Sequence, residues 1–67
     1  MMENRERYLK LLELKYNAAF YLMLFGNVTF YQGDLQLFTS TTEEKVNSIL
    51  DDLYEADNIN GLRMESE

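Results

Sequence analysis

Apolar residues return at helical spacing from the start of the chain. Tyr8, Leu9, Leu11, Leu12 and Tyr16 predict a helix over residues 3 to 15, with Glu6 and Lys10 as a favourable i,i+4 pair on its outer side. From Asn17 to Phe25 the run is apolar without a clear period, which fits either a buried helix or a buried strand. As a strand it would turn at Gly26-Asn27 into a hairpin; as a helix it would end there, on a pair suited to the left-handed conformation. Leu9, Leu12, Tyr16, Ala19, Phe20 and Met23 keep one continuous stripe, and this favours a single long helix.

Val28 to Tyr31 and Leu35 to Phe38 are short β-prone runs joined by Gln32-Gly33-Asp34, the signature of a hairpin. A three-residue loop would set Tyr31 opposite Leu35 and Thr29 opposite Leu37, with Val28, Phe30, Gln36 and Phe38 on the other face. Both faces then carry apolar groups, so one should pack on the helices and the other against a second subunit. Ser40 or Thr41, followed three residues later by Glu43 or Glu44, matches a capping box and starts a second helix. Val46, Ile49, Leu50 and Leu53 form its apolar stripe, with Glu44, Ser48, Asp51, Asp52 and Glu55 toward the outside. Asn58-Ile59-Asn60-Gly61 stops it, Leu62 and Met64 are placed to pack back, and residues 65 to 67 are expected to fray.

The expected fold class is therefore α+β, in the order N-terminal helix, β-hairpin, C-terminal acidic amphipathic helix (αββα), within a single small domain over residues 1–67. Composition adds a dimer to this expectation. A chain of 67 residues buries only about 60% of its unfolded surface, and this one has no Cys and no His, hence no disulfide or zinc site to compensate. Oligomerisation is the remaining source of stability, and a homodimer with Phe20, Met23, Phe30 and Phe38 at its interface is expected.

Charge changes the picture of function. The chain carries 12 acidic against 6 basic residues, a net charge of −6. Residues 1 to 15 are nearly balanced, residues 16 to 33 are uncharged, and after Gly33 nine acids face Lys45 and Arg63 alone. Such a balance disfavours direct binding to nucleic acid or to an anionic membrane and favours a basic protein surface. The uncharged stretch is no membrane span, because Asn17, Gly26, Asn27, Thr29, Gln32 and Gly33 interrupt it, and acids among residues 3 to 13 argue against a signal peptide. A soluble, unprocessed, cytoplasmic chain is expected, in keeping with the absence of Cys.

Catalytic chemistry finds little support. With His and Cys absent, the bases left are carboxylates and three lysines, and Ser40 and Ser48 read as a helix cap and a helix-face residue. No enzyme activity, metal or cofactor is expected. Residues 56 to 67 imitate a calcium loop at Asn58, Asn60, Gly61 and Glu67, but Ala56 stands where the first ligand must be an Asp, so a plain turn and tail account better for it. Glu43 and Glu44 suit the N-terminal end of a helix, whereas Asp51, Asp52 and Glu55 oppose its dipole. An acidic ridge of Glu44, Asp51, Asp52 and Glu55, with Tyr31 and Tyr54 as aromatic anchors, is therefore the expected partner-binding surface. In size and charge alone the chain resembles small acidic inhibitors made by phages and mobile elements. That resemblance implies occupation of a basic, nucleic-acid-binding surface on an enzyme. The alternative is a structural or antitoxin-like subunit that binds through apolar and aromatic surface.

Overall fold

A computed structural model describes residues 4–66. Five elements follow one another: α1 (Asn4–Phe25), β1 (Val28–Gln32), β2 (Leu35–Ser40), α2 (Glu43–Glu55) and β3 (Leu62–Glu65). The fold is α+β, with an N-terminal helix, a hairpin and a second helix, and a third strand joins the hairpin. All pairing is antiparallel in the order β2-β1-β3, so the hairpin's first strand is central.

The long-helix alternative holds: 22 residues at 1.5 Å each give about 33 Å, the molecule's long dimension of 34 Å. Gly26 ends α1 at φ +81°, where its N–H donates to the Leu22 carbonyl at 2.9 Å, a cap that L residues adopt only at a cost. The packed face of α1, however, is not the stripe read from the sequence. Leu11, Leu14 and Ala18 are buried, with Tyr21 and Leu22 beside them, while Leu9, Leu12, Tyr16, Phe20 and Met23 point outward. Two apolar rows lie on opposite sides of one helix, which explains why its sequence shows no single period. On the exposed side Lys10 reaches Glu13 at 3.8 Å rather than Glu6.

The hairpin closes through a two-residue loop. Gln32 pairs with Leu35, and Gly33 takes φ +61° at the first central position while Asp34 keeps a negative φ, as a type II′ turn requires. A bulge at Leu37 then absorbs one residue, so Tyr31 meets Gln36 and Phe30 meets Phe38. The register lies one residue from the expected one at Tyr31 and two beyond the bulge, which keeps Val28, Phe30 and Phe38 on one face; Gln36 joins Tyr31 on the other. Phe30 stacks on Phe38 at 4.8 Å between centroids and is fully buried, together with Val28, Val46, Leu50 and Ile59, beneath the two helices.

Strand β2 runs on through Thr39 and Ser40, and the cap of α2 is Thr42 instead of Ser40 or Thr41. Thr42 Oγ1 accepts from the Lys45 N–H at 3.3 Å; with Lys at that position there is no capping box. Ser40 Oγ braces the approach, donating to the Thr42 carbonyl at 2.9 Å and accepting from its N–H at 3.1 Å. At the other end Asp57, at φ +56°, supplies the left-handed residue before Asn58 or Gly61 is reached. Its N–H donates to Tyr54 and that of Asn58 to Leu53, the paired bonds of a Schellman motif. Glu65 closes β3 opposite Thr29 rather than beginning a loose tail; Met1 to Glu3 and Glu67 lie outside the described residues.

Arg7 ties the start of α1 to the end of α2. Its Nη2 donates to the Tyr54 carbonyl at 2.8 Å, its Nε lies 3.0 Å from Asp57 Oδ1, and its guanidinium sits 4.6 Å from the centroid of the Tyr54 ring. The Asp57 side chain is 75% exposed, so solvent screens the ion pair, and the carbonyl bond and ring contact carry the contribution. Arg7→Ala should cost about 2 kcal/mol and lower the thermal midpoint by roughly 10 °C. Asp57→Asn, which retains a residue tolerant of positive φ, should shift it by less than about 3 °C. Equal shifts in the two melts would contradict this division.

Candidate interaction surfaces

Two exposed faces and one sheet surface hold the side chains that could meet another molecule. The first is the solvent side of α2. Its core side carries Val46 and Leu50, with Leu53 and Tyr54 partly buried beside them. The spacing of Glu44, Ser48, Asp51, Asp52 and Glu55 then puts all five on the opposite, exposed side, over about 16 Å of helix. The four predicted acids are all exposed along this side of α2. Asp51 has a basic neighbour that sequence spacing along α2 could not show: Lys15 Nζ of α1 lies 2.7 Å from Asp51 Oδ1. Local sequence offered no signal for this pair, whose members lie 36 positions apart.

The two predicted aromatic anchors are elsewhere. Tyr54 turns toward α1, where its ring lies under Arg7 and meets Tyr8 edge-on at 6.4 Å. Tyr31 stands on the side of the sheet away from the helices, beneath the Arg63 guanidinium at 4.5 Å. That outer sheet surface is a ladder of local pairs. Thr29 and Thr39 share a hydroxyl hydrogen bond of 2.8 Å, Gln36 Nε2 donates to Thr39 Oγ1 at 3.4 Å, and Arg63 pairs with Glu65.

The second exposed face is the outer side of α1. Leu9 is 56% exposed, Leu12 42%, Tyr16 66%, Phe20 43% and Met23 71%, with Ala19 among them. Tyr16 and Phe20 touch edge-on at 5.5 Å and order the middle of the row. Of the residues expected at a dimer interface, Phe20 and Met23 lie on this face. Phe30 and Phe38 do not reach a surface shared with it, because the hairpin turns them inward onto the helices. Leu9, Leu12 and Tyr16, which the sequence pattern set in one stripe with Phe20 and Met23, belong to the same exposed row. The row that packs into the core is Leu11, Leu14, Ala18 and Tyr21, displaced from it by two residues.

A shallow, open depression at the start of α2 is lined by Thr42, Glu44, Lys45, Ser48 and Ile49. Two of its polar side chains are engaged locally: Thr42 caps the helix, and Lys45 Nζ donates to the Thr39 carbonyl at 3.5 Å. Among the described residues no three acidic side chains are grouped to hold a metal ion, and no helix is long and apolar enough to cross a membrane. In the segment that imitates a calcium loop, the Asn58 side-chain oxygen accepts from Gln32 Nε2 at 3.1 Å, which fastens the loop to β1. No protein family, curated protein or solved structure matches this chain.

Proposed function

We propose that this chain is a non-catalytic protein-interaction module that works through the outer face of α1. The observation that carries the proposal is the row Leu9, Leu12, Tyr16, Phe20 and Met23, five large apolar side chains in line on a helix whose opposite side already fills the core. Each would gain about 1.5–3 kcal/mol on full burial, and scattered exposure would not place them in register along one side. The net charge of −6 repels nucleic acid and anionic lipid, leaving protein as the partner, and a cytoplasmic setting goes with a chain free of Cys.

The proposal is tested with the variant Leu12→Ser/Tyr16→Ser, whose changes lie outside the core. Wild type should either self-associate in sedimentation or bind an apolar fluorescent dye; the variant should do neither and keep its helical circular dichroism. A variant equal to wild type in both measurements would overturn the proposal.

The acidic side of α2 supports a second reading, in which the module covers a basic surface such as the nucleic-acid site of an enzyme. Glu44, Asp52 and Glu55 extend past the single ion pair at Asp51, and Asp52 and Glu55 stand near the C-terminal end, where the helix dipole opposes them. Competition against single-stranded DNA on a basic nucleic-acid-processing enzyme provides the measurement. Wild type should displace the DNA, less so as salt rises, and Glu44→Lys/Asp52→Lys/Glu55→Lys should weaken displacement at least about tenfold while leaving the Lys15–Asp51 pair intact. Unchanged displacement by the triple variant would remove this reading.

A further inference from the structure

The exposed row on α1 has the spacing of a helix that pairs with another helix. Leu9, Leu12, Tyr16, Ala19 and Met23 alternate steps of three and four residues, the a/d repeat whose knobs fit the holes of a similar row. Because the domain's own helix α2 lies on the other side, that second row must come from outside the described chain. We infer that it is α1 of a second copy, packed antiparallel, with each Tyr16 ring seated on Ala19 of the partner subunit. The inference rests on the proposal that this face is a contact surface, and it names the occupant.

Three observations select a second copy and its direction. First, the row is uneven: Ala19 is its one small residue and Tyr16, three positions before, its widest. Parallel pairing would set Tyr16 on Tyr16 and Ala19 on Ala19, a collision beside a void. Antiparallel pairing sets Tyr16 into the notch at Ala19 of the partner subunit twice, once from each side of a two-fold axis, and places Leu12 against Met23 of the partner subunit. Second, every charge of α1 lies between Arg5 and Lys15, and residues 16 to 25 carry none. Antiparallel helices set each charged half beside an uncharged half, whereas parallel ones would set Arg5, Glu6 and Glu13 near their own copies. Third, the five large side chains of the row keep 42% to 71% of their surface exposed, an apolar patch comparable in size to the roughly 800 Å² that each partner contributes to a standard interface.

The natural chain has no Cys, so introduced thiols report pairing without interference. Wild type should sediment at twice its 8.0 kDa, and Ala19→Arg, which fills the notch, should weaken association at least about tenfold with unchanged helical circular dichroism. Leu12→Cys and Met23→Cys should each fail to cross-link alone and should form a disulfide when mixed. Residues 12 and 23 are adjacent in the antiparallel pair, while two copies of either lie about 16 Å apart along the helix, far beyond disulfide reach. Cross-linking of either single variant alone would overturn the antiparallel arrangement. A wild type that sediments at 8.0 kDa throughout would overturn the second copy. If that monomer still binds apolar dye through Leu12 and Tyr16, the interaction face stands and belongs to a different protein; if it pellets with vesicles of zwitterionic lipid, the face belongs to a membrane surface. A monomer that binds neither dye nor vesicle ends both proposals together.

Discussion

Phe30→Ala should leave the chain without a cooperative thermal transition. Phe30 is fully buried at the centre of the middle strand, stacked on Phe38 across the hairpin and opposite Met64 on the other side. Truncating a buried Phe costs about 3–5 kcal/mol, and a domain of this length holds only about 3–10 kcal/mol in all. The surrounding groups have little freedom to close the space, because Val28, Val46 and Leu50 are themselves fully buried around it. Circular dichroism across a temperature ramp is the measurement. Tyr31→Ala supplies the contrast: on the outer side of the same strand it loses an Arg63 contact and part of one half-buried ring, and should cost about 1 kcal/mol. A sharp Phe30→Ala transition within about 5 °C of wild type would show that the hairpin does not face the helices in this way. The pair also separates two meanings of damage at the hairpin, since loss of binding after Phe30→Ala reports loss of fold, not of an interface.

What the sequence made legible follows from how local each signal is. Helix α2 has apolar and acidic positions on opposite sides, so its core row and its acidic face could be read together, including Glu44, Asp51, Asp52 and Glu55. Helix α1 has apolar rows on two sides, and which one is buried depends on where α2 and the sheet lie, a fact no window within α1 contains. The same limit applies to its charges. Arg7 and Lys15 read as parts of a balanced, solvated helix, yet one holds the C-terminal end of α2 and the other meets Asp51. At the hairpin the inward face of Val28, Phe30 and Phe38 was legible from alternation, but the register and the side taken by Gln36 were set by a bulge at Leu37 that alternation does not reveal. Tyr31 and Tyr54 were grouped with the acids on the strength of their chemistry, and the sheet and the α1 contact pull both away. The outer face of α1 was thus visible as a row, with Phe20 and Met23 expected at an interface, while the row that fills the core beside it was not.

Strand β3 was the element least visible, and Ile59→Ala should show how it is held. Leu62 to Glu65 is too short for its apolar–polar alternation to outweigh the Asn and Gly before it, so its pairing depends on a partner strand and on the loop that delivers it. Two contacts fix that loop. Ile59 is fully buried in the core directly after the Schellman turn, and Gln32 Nε2, at the end of β1, donates to both Asn58 Oδ1 at 3.1 Å and the Asn60 carbonyl at 2.9 Å. Removing the Ile59 side chain should cost about 2–4 kcal/mol, and the loss should concentrate on β3, whose other edge pairs with nothing described. In native-state hydrogen exchange, amides of β3 that donate to β1 should lose protection well before those of Leu11 to Ala18. Gln32→Ala, which cuts the polar ties and leaves the core filled, should move the same β3 amides in the same direction by a smaller amount. If Ile59→Ala instead lowers protection equally across α1, the sheet and β3, the strand unfolds with the whole domain and is part of its core unit, not an edge added to a finished αββα frame.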